Sequence, residues 1–161
     1  MLRKIGMIAV LSLLVVALTA SVAVAAPQFK NRGGPFATDN GVTLTVTGTL
    51  VGLGNASGQT VEVTAVGQPV VTCTNPSGNN QPPGQQPAPG EVTSGPVPID
   101  PDTITRSGQY TFSVTTIEPE VGRVCKDKPG WTQTTTDVIF TEYEVIVNGV
   151  SLGTFTNIRQ G

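Results

Sequence analysis

The sequence contains no histidine. That absence removes the Ser-His-Asp and Cys-His arrangements of nucleophilic catalysis, together with every imidazole metal site. Charge is scarce as well: 12% of the residues are charged, and neither sign forms a run. A nucleic-acid partner needs a concentrated basic face to displace counterions from phosphates, so that class is excluded. Arg32-Gly33-Gly34 is a single copy of an RNA-binding repeat unit and reads as part of a flexible arm. Glycine motifs that cradle phosphate are missing, and aromatics are only 5% of the chain. After residue 25 no apolar run is long enough to span a bilayer.

What is present begins with a leader. Arg3 and Lys4 give a positive start, Ile5 to Val24 is almost entirely apolar, and Ala23-Val24-Ala25 is followed by Ala26-Pro27. A positive start, an apolar middle and a small-residue exit define a secretory signal peptide over residues 1–25, with Ala23, Ala25 and Ala26 marking the cleavage site. The apolar length approaches that of a retained anchor, but the Ala-rich exit serves cleavage and not anchoring. The mature chain is therefore expected outside the cell, secreted or envelope-associated, with no membrane span after cleavage. Its 136 residues suit one domain. Loss of Arg3 and Lys4 leaves seven basic against eleven acidic groups, a net charge of −4.

Two cysteines, Cys73 and Cys125, most simply form one disulfide in an exported protein. Closing a loop of about 53 residues stabilises the fold by roughly 4 kcal/mol on chain-entropy grounds. No Cys-x-x-Cys pair points to redox or metal chemistry.

Along the mature chain the dominant signal is period-two alternation. Residues 26–40 carry few apolar groups and read as a flexible amino-terminal arm, leaving a single domain over 41–161. Val42, Leu44, Val46 and Leu50 alternate with threonines in a half-buried strand. Val61, Val63 and Ala65 mark a second strand, and Gln68 to Thr74 a third that Pro69 places at an edge. The Pro/Gly/Gln/Asn-rich stretch 75–98, whose Asn75 to Gln86 core has no large apolar side chain to bury, reads as a long surface excursion or a disordered loop. Pro98-Ile99-Asp100-Pro101 within reach of it reads as a turn. Tyr110, Phe112 and Val114 share one strand face, and Val121 to Cys125 pairs briefly at most. Asn148-Gly149 between two alternating runs is the strongest hairpin signal, setting Val147 opposite Val150 and Val145 opposite Leu152. Glu142 and Glu144 then share the opposite face with Ile146 and Ser151.

Many short strands, frequent Gly and Pro turns and no helix after the leader predict an all-β fold: an antiparallel β-sandwich, immunoglobulin-like in broad architecture. It lacks the marks of a true immunoglobulin domain. Trp131 follows the second cysteine instead of lying between the two, and Arg123 stands where a tyrosine corner would fall.

Gly52-Leu53-Gly54-Asn55, the run Cys73 to Asn79 and the run Thr136 to Thr141 resemble patches of small exported β-rich bacterial proteins, actinobacteria-like in character. The resemblance implies an exported β domain and carries over no catalytic residue. Three carboxylate pairs remain for chemistry: Asp100 and Asp102, Glu118 and Glu120, Glu142 and Glu144. Two carboxylates about 5–9 Å apart serve glycoside hydrolysis, but only within a cleft. Asp100 and Asp102 beside the long loop are the best candidates for weak calcium binding. Trp131 is expected against the disulfide, and Asn55-Ala56-Ser57 is a glycosylation sequon of use only in a eukaryotic host. The expectation is an exported, non-enzymatic interaction or structural domain without cofactor, its partner the cell envelope or another extracellular protein. A small carboxylate-dependent hydrolase, or a secreted inhibitor, is the alternative.

Overall fold

The computed structural model describes residues 26–30, 34–54 and 57–161. The leader with Ala23 and Ala25 lies outside the described residues, as do Arg32, Gly33, Asn55 and Ala56; Ala26 is exposed. The strands are β1 (Gln28–Phe29), β2 (Phe36–Asp39), β3 (Leu44–Val51), β4 (Thr60–Thr74), β5 (Asn80–Gln81), β6 (Gly90–Thr93), β7 (Val97–Pro98), β8 (Tyr110–Thr115), β9 (Thr132–Val147), β10 (Val150–Phe155) and β11 (Ile158–Gln160). One 3₁₀ turn, Pro101–Thr103, is the only helical element among the described residues. The fold is an antiparallel-rich β-sandwich of two sheets.

In the first sheet β3 carries β8 on one edge and β2 followed by β1 on the other, and β11 adds to β2 in parallel. In the second, β9 pairs with nearly the whole of β4, and β10 completes that side. The opposite edge of β4 is lined in series by β7, β6 and β5. Alternation determines what faces inward. Leu44, Val46, Leu50, Phe112 and Val114 of the first sheet meet Val61, Val63, Ala65, Tyr143, Val145 and Val147 of the second in one buried cluster. The side of the sandwich is closed by Phe29 and Phe155, whose rings meet edge to face at 5.6 Å.

Two expected strands are one. β4 runs unbroken through Pro69, which is buried. Val71 N donates to the Gln86 side chain on the outer edge, so odd-numbered amides of this stretch point away from β9. The missing N–H of Pro69 therefore falls in the gap between β6 and β5, where no ladder bond is lost. β9 keeps pace with β4 through two bulges. Thr141 and Thr136 are the extra residues, and their hydroxyls bond Val66 O and Val70 O opposite them. Each bulge shifts the inward parity by one: Tyr143, Val145 and Val147 face the core, then Val138 and Phe140.

The Asn148-Gly149 hairpin forms with positive φ at both residues, and Asn148 clamps Thr60 through both its amide and its side-chain carbonyl. Val147 pairs with Val150 as expected. Further along, Leu152 and Gly153 together oppose Val145, because a bulge falls between Ser151 and Thr154.

The amino-terminal stretch is not a loose arm. β1 and β2 belong to the first sheet, and Ala37 is fully buried. Tyr143 holds this stretch from the opposite sheet: its hydroxyl lies 3.1 Å from Pro35 O and 3.0 Å from Asn157 Oδ1, and Asn157 Nδ2 donates to Pro35 O. Nor does 75–98 float, since β5, β6 and β7 stitch it to β4. Val92 enters the main core with Val97 packed beside it, and polar bonds hold the rest. Gln86 pairs both the N–H and the C=O of Val71, as a strand would, and Asn75 Oδ1 accepts from Ser77 N and Asn79 N.

Gly67 lies where the first bulge brings β9 close. A Cβ there would stand 2.5 Å from Val138 Cγ1 and 3.1 Å from Phe140 Cδ1. Gly67→Ala is expected to lower the unfolding free energy by roughly 1–3 kcal/mol, the usual cost of overpacking; urea denaturation measures it. An unchanged midpoint would mean the Val138 and Phe140 side chains have room to move.

Both tyrosines give a second expectation. Burial raises Tyr143 above the ordinary phenol value, with the Asn157 bond acting the other way. Burial and then the charge of Asp100 raise Tyr110. A folded-state value above the unfolded one contributes stability that is complete below the unfolded pKa of about 10 and is lost as pH rises through the folded value. The unfolding free energy should therefore fall above pH 10, and the tyrosinate absorbance of the folded protein should lag that of the unfolded chain. Coincident titrations of the two states would overturn this.

Candidate functional site

After β8 the chain leaves the first sheet. Thr116 N bonds Leu44 O, and its hydroxyl accepts from Leu44 N in a buried exchange. One residue later Ile117 N donates to Thr93 O at 3.0 Å, placing the chain beside the outer edge of β6. Pro119 has no amide with which to continue the ladder, and the segment bows away. It is caught again further on. Gln133 Oε1 accepts from Val124 N and Cys125 N, Gln133 Nε2 donates to Gly122 O, and Cys125 is bonded to Cys73. Anchored at both ends and free in the middle, residues 117–122 stand off β6 and enclose a groove of about 410 Å³. That volume falls within the range of about 300–1,000 Å³ found for ligand sites.

The groove offers three kinds of contact. Gly67 and Pro69 of β4 and Pro87 line it together with β6. Ile117, 60% exposed, and Val121 supply apolar surface. Glu91, Glu118 and Glu120 supply negative charge, and among the described residues no lysine or arginine lines the groove. The nearest cation along the chain, Arg123, is engaged with Asp127 at 3.4 Å and with Lys126 O.

The residues singled out in the sequence are distributed as follows. Cys73 and Cys125 form the disulfide, with Cα atoms 5.7 Å apart. They build a second small core with Val71, against which Val121, Val124 and Trp131 pack. Trp131 thus lies against the disulfide as expected, with Lys126 Nζ 5.3 Å from its ring centre. This cluster covers the inner face of the β4–β9 ribbon beyond the main core. Residues 121–125 form no strand, the Gln133 side chain taking the place of one.

Glu118 and Glu120 are brought to the groove. Glu142 and Glu144 are not; they lie on the outer face of the second sheet beside Glu91, around a depression of about 110 Å³. Their spacing along the strand, about 6.7 Å, suits a carboxylate pair. The depression is below the size that encloses a sugar ring. Asp100 and Asp102 are taken up in a cap: Asp100 Oδ1 accepts from Asp102 N, and Asp100 O accepts from Thr103. Among the described residues no three acidic or cysteine groups stand together as a metal site.

Sequence reasoning missed the groove and Gln133. Pro119 between two glutamates was its one local signal; what closes it comes from Thr93 and Gln133, far apart along the chain. Comparison with family models, with curated proteins and with solved structures finds no match to this chain.

Gln133→Ala removes the acceptor for two amides and the donor for Gly122 O. It is expected to cost roughly 1–3 kcal/mol and to speed amide exchange at Val124 and Cys125 more than in β3 or β8. Uniform exchange changes, or none, would show that the disulfide alone holds the segment.

Proposed function

We propose that this chain is an exported, non-enzymatic recognition module that holds an extracellular or envelope partner in the groove beside β6. The observation that carries the reading is the groove itself: a bowed segment pinned at both ends, leaving an unpaired strand edge, apolar side chains and uncompensated carboxylates facing one space. These are means of binding. The formed disulfide supports an oxidising compartment. No helix among the described residues is long and apolar enough to cross a membrane. The leader-like residues 1–25 and the resemblance to small exported bacterial proteins support export.

Fractionation of the native culture, with intact mass before and after reduction, tests the reading. The expected species lacks residues 1–25, gains two hydrogens on reduction, and is found in the envelope fraction or in high-mass complexes. A chain that keeps its leader would overturn export, and a free monomer in every fraction would overturn the recognition role. Loss of a measurable hydrolytic activity in Glu118→Gln, with the fold intact, would replace this reading with a carboxylate-dependent hydrolase.

A further inference from the structure

We propose that the groove takes an extended peptide bearing lysine or arginine, which docks as an added strand along the outer edge of β6. This deepens the recognition-module reading and rests on it.

The backbone supplies the first argument. Ser94 N donates to Val63 O of β4, so even-numbered amides of this stretch face β4 and odd-numbered ones face outward. Thr93 O, pointing outward, already accepts Ile117 N. The outer edge of β6 therefore accepts a chain laid beside it, and the protein uses that capacity once. Two residues away, the N–H and C=O of Glu91 point into the groove with no strand beside them. The edge then ends at Pro89, which has no amide. So few main-chain bonds leave side chains to decide what binds.

Charge supplies the second. An added strand turns alternate side chains to opposite faces. Those side chains meet a lining that carries Ile117 and Val121 as well as Glu91, Glu118 and Glu120. None of these carboxylates is in an ion pair or hydrogen bond with another described residue. Three like charges around one groove favour a basic occupant and repel an acidic one. The same carboxylates keep a second copy of this acidic chain from pairing there.

The test titrates the full, disulfide-bonded protein with three capped hexapeptides, followed by NMR. One alternates valine and lysine, one alternates valine and glutamate, and one is the lysine peptide with alternate amides N-methylated. The lysine peptide is expected to bind with Kd below about 1 mM at low salt and to shift the Glu91 and Thr93 amides. N-methylation should weaken it about fivefold, the worth of the one hydrogen bond that a peptide N–H makes to Glu91 O, and the glutamate peptide should not bind. Glu91→Gln and Glu118→Gln should each weaken it about twofold to fivefold, the range of one exposed ion pair. Equal binding of the methylated peptide would overturn strand addition, and equal binding of the glutamate peptide would overturn the charge argument. No binding of the lysine peptide, with the protein still found in native complexes, would overturn this proposal while leaving the recognition role standing. Binding by a protein that is free in every native fraction would overturn a resident envelope partner and leave the groove's preference for a basic strand standing.

Discussion

The pairing of β4 with β9 is the constraint on which the rest of the structure depends. Fourteen residue pairs join the two strands from Val61↔Val147 to Thr74↔Thr132. A ribbon of that length is longer than the sheet it packs against, so its two ends need different partners. One end is covered by the first sheet through Val61, Val63, Val145 and Val147. The other extends past it, and there Val71 and Cys73 are covered by a segment without strand structure, tied down by the disulfide and by Gln133. The disulfide is therefore the device that closes the core where the sandwich runs out. The groove follows from the same mismatch, because the segment that reaches the far end of the ribbon bows away from β6 on its way.

Long ladders twist, and two bulges in β9 absorb the accumulated offset. Threonine suits those positions, because its hydroxyl reaches the carbonyl opposite the bulge, as at Val66 and Val70. Glutamine does a related task on a larger scale. Gln86 and Gln133 each present a side-chain amide where a strand backbone would be, one to Val71 and the other to Val124 and Cys125. These polar bonds add to burial: Val92 enters the main core, and Val121, Val124 and Cys125 pack in the smaller one.

What was legible in the sequence was local. Alternation around Leu44–Leu50, Tyr110–Val114 and the Asn148-Gly149 turn identified strands, faces and a hairpin, because period two and turn chemistry are properties of neighbouring residues. The disulfide followed from arithmetic on two cysteines. The failures share a cause. Residues 26–40 look too polar for a strand, yet a single Ala37 enters the core once β3 and β11 lie on either side. Pro69 points to a separate strand beginning at a sheet edge, because nothing local reveals that its missing N–H faces a gap between two short strands. Only one of the three carboxylate pairs, Glu118 and Glu120, reached the groove, since that depended on Thr93 and Gln133 and not on the spacing of the acids.

The edge of β6 brings these threads together. An open strand edge invites indiscriminate pairing, and this one is shortened by Pro89 at one end and by Ile117 at the other. What remains open is a single residue, flanked by carboxylates. If protection were the whole purpose, continuing the pairing begun at Ile117 would have removed the edge altogether. Instead Pro119 turns the chain outward, and Gln133 and the disulfide hold it there at the cost of leaving Ile117 in solvent. A segment restrained at both ends beside so short a strand edge is the geometry from which the recognition proposal is argued. On the proposal made above, the same three glutamates would both deter self-pairing and set the charge of the occupant.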